Sequence, residues 1–354
     1  MADVLPGEYA FSHQYAFFLH DLLADIVVSG EQARVFDVHF DLRSPEDATD
    51  LEGLPREQLW DWLERRGYRD VLEELTCRMV CLALLSDFCH FIYEALDCSR
   101  KGKVTVCYAL LRKPLKENLF YFEWLLADRR GFLDAFFGGD PEQLLPKNAA
   151  PRRQKLETIR AAIERTACAE FFDAEYIYDL RYNRAAADTF EGLWNQANHL
   201  ITTFRHIKTE PQNFNLVFLH GDVMQSQWHF LYSHVPYLLN YTVEVVEALI
   251  RPFAPTEPAY LSVMRFRRDI GLLFFIRETR GDKESLDGLM AHLREEVGPD
   301  CPACAAPVNM DDSALMGIYE EGKWPCPVCG NDILSDLAEA EADDEEGHGQ
   351  DTPD

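Results

Sequence analysis

The stretch that decides the fold class runs from Val71 to Leu96 and reads VLEELTCRMVCLALLSDFCHFIYEAL. Val71, Leu72, Leu75, Met79, Leu82, Leu85, Ile92 and Leu96 fall at the three- and four-residue spacings that line one face of an α-helix. The same spacing extends outward. It predicts helices over Ala10–Val28 and Arg56–Arg66 before this stretch, and over Val104–Asp128, Arg153–Thr166, Ala185–Ile207, Val223–Ile250 and Ala259–Glu278 after it. Pro114 lies inside Val104–Asp128 and, having no N–H to donate, is expected to kink or divide that helix. Pro45 and Pro55 flank an acidic stretch, Asp47 to Glu52, read as a loop. Strand-like patterns are confined to Arg34–Leu42 and Phe214–Leu219, and no repeat of fixed period is present. The fold class is therefore mainly α. A multi-helix bundle is expected over 1–280, a linker and short helix over 281–298, a small cysteine module over 299–337 and a disordered acidic tail over 338–354.

Charge narrows the function classes. The chain of 354 residues carries a formal net charge of −27. From residue 301 onward fourteen acidic residues face one lysine, Lys323. No basic stripe of the kind that neutralises phosphates is present, so nucleic acid and anionic membrane surfaces are disfavoured. His13, His20, Asp21 and Asp25 interrupt the apolar residues near the N-terminus, so no signal peptide is read there. No window offers about eighteen uninterrupted apolar residues. The expected location is the cytoplasm. Six of the ten cysteines (Cys77, Cys81, Cys89, Cys98, Cys107 and Cys168) are scattered through helical patterns and are expected as free, reduced core residues.

The other four cysteines form two tight pairs: Cys301-Pro-Ala-Cys304 and Cys326-Pro-Val-Cys329-Gly330-Asn331. Each CxxC turn delivers two thiolates to one side, and two such turns complete the tetrahedron that Zn2+ prefers. Gly330 suits the close backbone path after the last thiolate. The module resembles the zinc-ribbon group. One Zn2+ per chain is expected, with a structural role, because four cysteines leave no position for water. Zinc ribbons often bind nucleic acid, but Asp311, Asp312, Glu320 and Glu321 in the intervening loop would repel phosphate. Trp324 is expected to pack on the module or on a partner protein.

Two further segments place polar groups on apolar helices. One carries Arg112, Lys113, Pro114, Lys116, Glu117, Asn118 and Glu123, and the other ends Trp194-Asn-Gln-Ala-Asn198-His199. Together they resemble the helical HEPN and abortive-infection families, in which an Arg–Glu helix precedes one ending in Asn or Ser and His. The resemblance spans about residues 70–250. It implies an all-α fold, frequent dimerisation, and a ribonuclease, phage-defence or toxin role. Asn198, His199, Arg112 and Glu117 are then the candidate catalytic residues. HEPN ribonucleases also place an arginine four to six residues before a histidine on one helix; here that spacing occurs at Arg34 to His39, outside the helical patterns. The residues themselves favour a simpler reading, a buried or semi-buried ion pair between helices formed by Arg112 and Glu117.

A metal-dependent hydrolase is a further alternative, since Asp87, His90 and Glu94 share one helical face and His13, His20, Asp21, His199, His229 and His234 could converge on them. No Walker loop, dinucleotide fingerprint, GxSxG elbow or HExxH is present. The reading that accommodates most features is an interaction or regulatory protein with a protein partner. The dimerisation that the resemblance implies would run through the aromatic segments Phe120–Trp124 and Trp228–Tyr237.

Overall fold

The Val71–Leu96 stripe lies within a 32-residue helix, Arg69–Arg100, in the computed structural model of the chain. The structure describes residues 3–145, 152–185, 189–205, 207–215, 221–254, 258–298, 300–308 and 310–335. The acidic tail and most of Phe214–Leu219 lie outside the described residues. Among the described residues there are no strands, and pairing is limited to two isolated bridges. Arg34–Leu42 forms turn and loop. The helices are α1 (Ala10–Gln32), α2 (Pro45–Glu52), α3 (Leu59–Arg65), α4 (Arg69–Arg100), α5 (Val104–Lys113), α6 (Leu119–Ala127), α7 (Arg129–Phe137), α8 (Arg152–Ile163), α9 (Ala174–Tyr182), α10 (Phe190–Asn198), α11 (Gly221–Ile250), α12 (Pro258–Arg280), α13 (Glu284–Val297) and α14 (Asp312–Glu321).

Contacts divide the chain into two compact units: Met1–Tyr9 with Ala16–Ala254, and Ala10–Tyr15 with Pro255–Asp354. The sequence pattern places a break after residue 280; the contacts place it after Ala254 and group α12 and α13 with the cysteine module.

In the larger unit α5 packs along α4, α10 packs on α5, and α6 packs on α8 and α11. The buried face of α4 is Cys77, Cys81, Leu85, Phe88, Cys89, Ile92 and Leu96, whereas Met79 is exposed. The stripe read from aliphatic residues alone is thus rotated toward the cysteines. Five of the six scattered cysteines are buried, and burial pushes the Cys81 and Cys89 thiols up to about 12. By length and composition α4 could cross a bilayer, with a mean hydropathy of 1.6 over its most apolar window. Within the aromatic segments Phe120–Trp124 and Trp228–Tyr237, the side chains of Phe120, Phe122, Trp228 and Tyr232 are buried in the core.

Several differences from the predicted helices have local causes. The acidic stretch after Pro45 is helix α2, because the Ser44 side chain caps it by accepting from Asp47 N–H and Pro45 fits its first turn. The helix predicted over Ala185–Ile207 stops at Asn198, where Thr202, Thr209 and Asn215 tie the backbone into a loop. Pro114 does divide its helix, as a π-helical turn over Pro114–Asn118.

In the smaller unit α12 packs on α13 and α14. Phe11 meets Phe274 and Tyr319, and Tyr15 meets Phe275, within an aromatic cluster. The buried Tyr15 hydroxyl donates to the Arg268 carbonyl at 3.1 Å. Gly271 lets these rings close, since a Cβ there would lie 2.6 Å from the Tyr15 ring and 2.8 Å from that of Tyr319.

Candidate functional site

The cysteine module is two near-copies of one turn joined by a helix. In the first copy Cys301 N–H donates to Ala306 O at 2.7 Å and Ala305 N–H returns to Cys301 O at 2.9 Å. In the second, Cys326 N–H donates to Asn331 O at 2.8 Å and Gly330 N–H returns to Cys326 O at 2.9 Å. Antiparallel bridges Asp300–Pro307 and Pro325–Asp332 close the two turns. The residue after each second cysteine is left-handed, Ala305 at φ +57° and Gly330 at φ +75°.

The segment between the copies is not the expected loop. Asp311 caps α14 by accepting from Ser313 and Ala314 N–H, and Leu315, Ile318 and Tyr319 are buried. Arg267 reaches the other end, donating to the carbonyls of Tyr319 and Glu320 at 2.9 and 2.8 Å. Trp324 is buried beneath the second copy, and Asp332 accepts its N–H at 2.9 Å.

These contacts aim four sulfurs at one point. Cys301 Sγ lies 3.8 Å from Cys329 Sγ, and Cys304 Sγ lies 3.7 Å from Cys326 Sγ, with all four within 4.8 Å of one another. A disulfide requires about 2.0 Å, whereas a tetrahedron with metal–sulfur arms of about 2.3 Å has edges of about 3.8 Å. The quartet can hold a metal ion. Without one, four thiolates cannot share so small a volume. Backbone N–H groups of Cys329 and Val328 hold the Cys326 thiol down to about 6, while at Cys304 the N–H of Ala306 is overridden by the neighbouring thiols and the value rises to about 12.

Comparison with protein-family models, curated proteins and solved structures finds no match among them. The chain's chemistry is read from its own geometry.

The candidate residues of the helical unit pair locally. Arg112 Nη1 lies 3.0 Å from Glu117 Oε1, a half-exposed ion pair formed along one helical segment and not between helices. Asn198 Nδ2 donates to Trp194 O at 2.8 Å, and His199, exposed, lends its carbonyl to Asn215 Nδ2 at 2.8 Å. Among the described residues no hydrogen bond or ion pair joins Arg112 or Glu117 to Asn198 or His199. Asp87 is taken by Lys113 and by Asn118 Nδ2, each at 2.8 Å, while His90 and Glu94 are exposed. His20 Nδ1 lies 2.8 Å from Asp21 and its Nε2 lies 3.2 Å from Cys89 O. The only group of three or more metal-ligating side chains that converges among the described residues is the cysteine quartet.

The densest polar cluster surrounds the π-turn, and its centre, Arg181, was missed in the sequence. In that turn Leu119 N–H donates to Pro114 O, five residues back, so the Leu115 carbonyl loses its α-helical donor. Arg181 Nε fills the vacancy at 2.6 Å, and Tyr182 OH donates to Lys116 O at 3.0 Å. Arg181 also pairs with Glu123, and both side chains are 0% exposed. Burial raises the Glu123 pKa against the opposing pull of Arg181. Beside them Lys116 and Arg184 both pair with the buried carboxylate of Glu191. The available signal was an arginine within Tyr176–Tyr182, a short run rich in large apolar residues.

Proposed function

We propose that this chain is a cytoplasmic interaction or regulatory protein whose C-terminal module is a zinc ribbon, folded on one structural Zn2+ and engaging a partner protein. The observation that carries the metal is the pair of sulfur edges, 3.7 and 3.8 Å, which match a tetrathiolate shell. Zinc and iron both suit four thiolates. Zinc is proposed because closed four-cysteine shells are among its usual structural sites. Such a shell has no place for a reacting water, so the ion's role is to supply folding free energy. The partner is proposed to be a protein because Asp311, Asp312, Glu320 and Glu321 border the module, a poor environment for phosphate.

The test has two parts. Metal analysis of the purified chain should give one zinc per chain and no visible absorption; a coloured, iron-containing protein overturns the zinc assignment. Affinity capture should retain a stoichiometric partner protein with the wild-type chain and lose it with Cys326→Ser/Cys329→Ser. Capture of RNA overturns the partner class. So does RNA cleavage that His199→Ala abolishes, the outcome expected if the HEPN-like reading holds.

A further inference from the structure

The loop leaving α10 reverses the usual distribution of side chains. Over residues 199–215 the polar side chains of Thr202 and Asn215 are buried, while Leu200, Ile201, Phe204 and Phe214 are 59%, 62%, 52% and 45% exposed.

The inversion is held in place by hydrogen bonds. Thr202 N–H donates to Thr209 Oγ1 at 2.8 Å, and Thr209 N–H returns to Thr202 O at 3.0 Å. Thr209 Oγ1 donates to Asn215 Oδ1 at 2.6 Å, and Asn215 N–H donates to Leu200 O at 2.8 Å. Thr202 Oγ1 donates to Ile207 O. With these backbone and hydroxyl groups engaged inside, Ile207 alone of the loop's large apolar side chains turns inward among the described residues, and Leu200, Ile201, Phe204 and Phe214 are kept at the surface. Four large apolar groups on one short loop form the kind of patch that marks an interaction site, and a fixed loop loses little entropy on docking.

Charge indicates what docks. The chain is strongly acidic, yet this loop carries Arg205 and Lys208 against one acid, Glu210. Arg205 and Lys208 are exposed and make no ion pair among the described residues. Arg184, itself paired with Glu191, lies beside the loop with its guanidinium 5.7 Å from the centre of the Phe204 ring. Apolar groups interleaved with cations complement a segment in which large apolar groups alternate with carboxylates. An anionic bilayer or a nucleic acid would meet the same cations, but each brings far more negative charge than a short acidic segment and is repelled more strongly by the rest of a chain at −27.

We propose that loop 199–215 is a docking surface for an acidic, apolar-rich segment of a partner protein. The proposal rests on the reading of this chain as an interaction protein, but on residues independent of the cysteine quartet.

The experiment is selection from a random displayed-peptide library against the full-length, metal-loaded chain, with counter-selection against Ile201→Ser/Phe204→Ser. The four loop side chains substituted are exposed, and an unchanged circular dichroism melt confirms that the two loop variants fold. Enriched peptides should combine Asp or Glu with Leu, Phe or Trp. Synthesised and labelled, they should lose at least about tenfold in affinity to Ile201→Ser/Phe204→Ser and to Arg205→Glu/Lys208→Glu. They should bind Cys326→Ser with unchanged affinity, so a failure of the metal reading leaves this result standing. No enrichment, enrichment of basic peptides, or equal binding to the loop variants overturns the proposal. Loop-dependent binding of phosphatidylserine vesicles or of labelled oligo(U), without peptide enrichment, overturns it in favour of a membrane or RNA ligand.

Discussion

Two polar clusters on this chain are completed in opposite ways. Around the π-turn the complement of each charge is another side chain: Arg181 meets Glu123, Lys116 and Arg184 meet Glu191, and Arg112 meets Glu117. Around the paired cysteine turns four like groups converge and face one another. The charges of the first cluster are paired within the chain itself, and its role is to hold an irregular helix. The second needs a cation from outside the chain before its thiolates can coexist. Density of charge is therefore a poor guide to where this protein meets other molecules, and incompleteness is the better one.

The sharpest way to break the comparison is to remove the cation. Chelation, or Cys326→Ser, should cost the module most of a metal-binding free energy of about 10–16 kcal/mol. Amide exchange should then become fast over residues 300–335 and stay slow over α4 to α6. Equal loss in both regions would show that the quartet is not where the second unit draws its stability. Acid should have the same effect, because each thiolate must take up a proton as it leaves the metal.

Next in size is the ion-paired cluster. Arg181→Met strands the buried Glu123 carboxylate and the Leu115 carbonyl, and should cost about 3–5 kcal/mol in urea denaturation. Arg181→Met/Glu123→Leu should recover most of that loss, because a matched apolar pair replaces a matched ionic one. If the double variant is as unstable as the single one, the ion pair is not the partner that matters.

Gly271→Ala should cost about 1–3 kcal/mol by forcing the Tyr15 and Tyr319 rings apart, an overpacking effect read as a lower melting temperature and altered near-ultraviolet dichroism. Smaller still is the contrast between the two cysteine turns. Gly330→Ala should cost about 1 kcal/mol at its left-handed φ, whereas Ala305→Gly should gain up to about 1 kcal/mol. Zinc affinities of the two variants, measured by chelator competition, should move in opposite directions.

The smallest effect is electrostatic. Burial would raise Glu74, but Arg129 and Arg78 outweigh it, and Asn118 and Lys113 do the same for Asp87, so both carboxyls sit below their ordinary range. Groups lowered on folding stabilise above the unfolded value and lose that contribution as pH falls through the folded one. The unfolding free energy should therefore drop below about pH 4, and Glu74→Gln/Asp87→Asn should flatten that slope.

The mainly helical class and the cysteine quartet were legible because each follows a short-range rule, helical periodicity for one and thiolate spacing for the other. What was not legible depends on distant partners. Arg181 belongs to a site only because Leu115, Lys116 and Glu123 lie beside it, more than fifty residues away in sequence. The end of α10 was missed because apolar residues continue past Asn198 to Ile207, whereas the side chains that halt the helix, Thr209 and Asn215, come later. Helix α14 is legible in principle from the Asp311 cap and the spacing of Leu315, Ile318 and Tyr319, but the segment is short and carries acids at both ends, which is also the pattern of a solvated loop.

The short segment Ala10–Tyr15 belongs with the far end of the chain. Tyr15 bonds Arg268 across 253 positions, and Ser12 bonds Glu278 across 266. At about 5–20 residues per second, translation separates Tyr15 from its acceptor by roughly 13–50 s. During that interval Phe11 and Tyr15 have emerged without their later neighbours, exposed to chaperones and proteases, and any message cut short before α12 yields a product with those aromatic rings permanently uncovered.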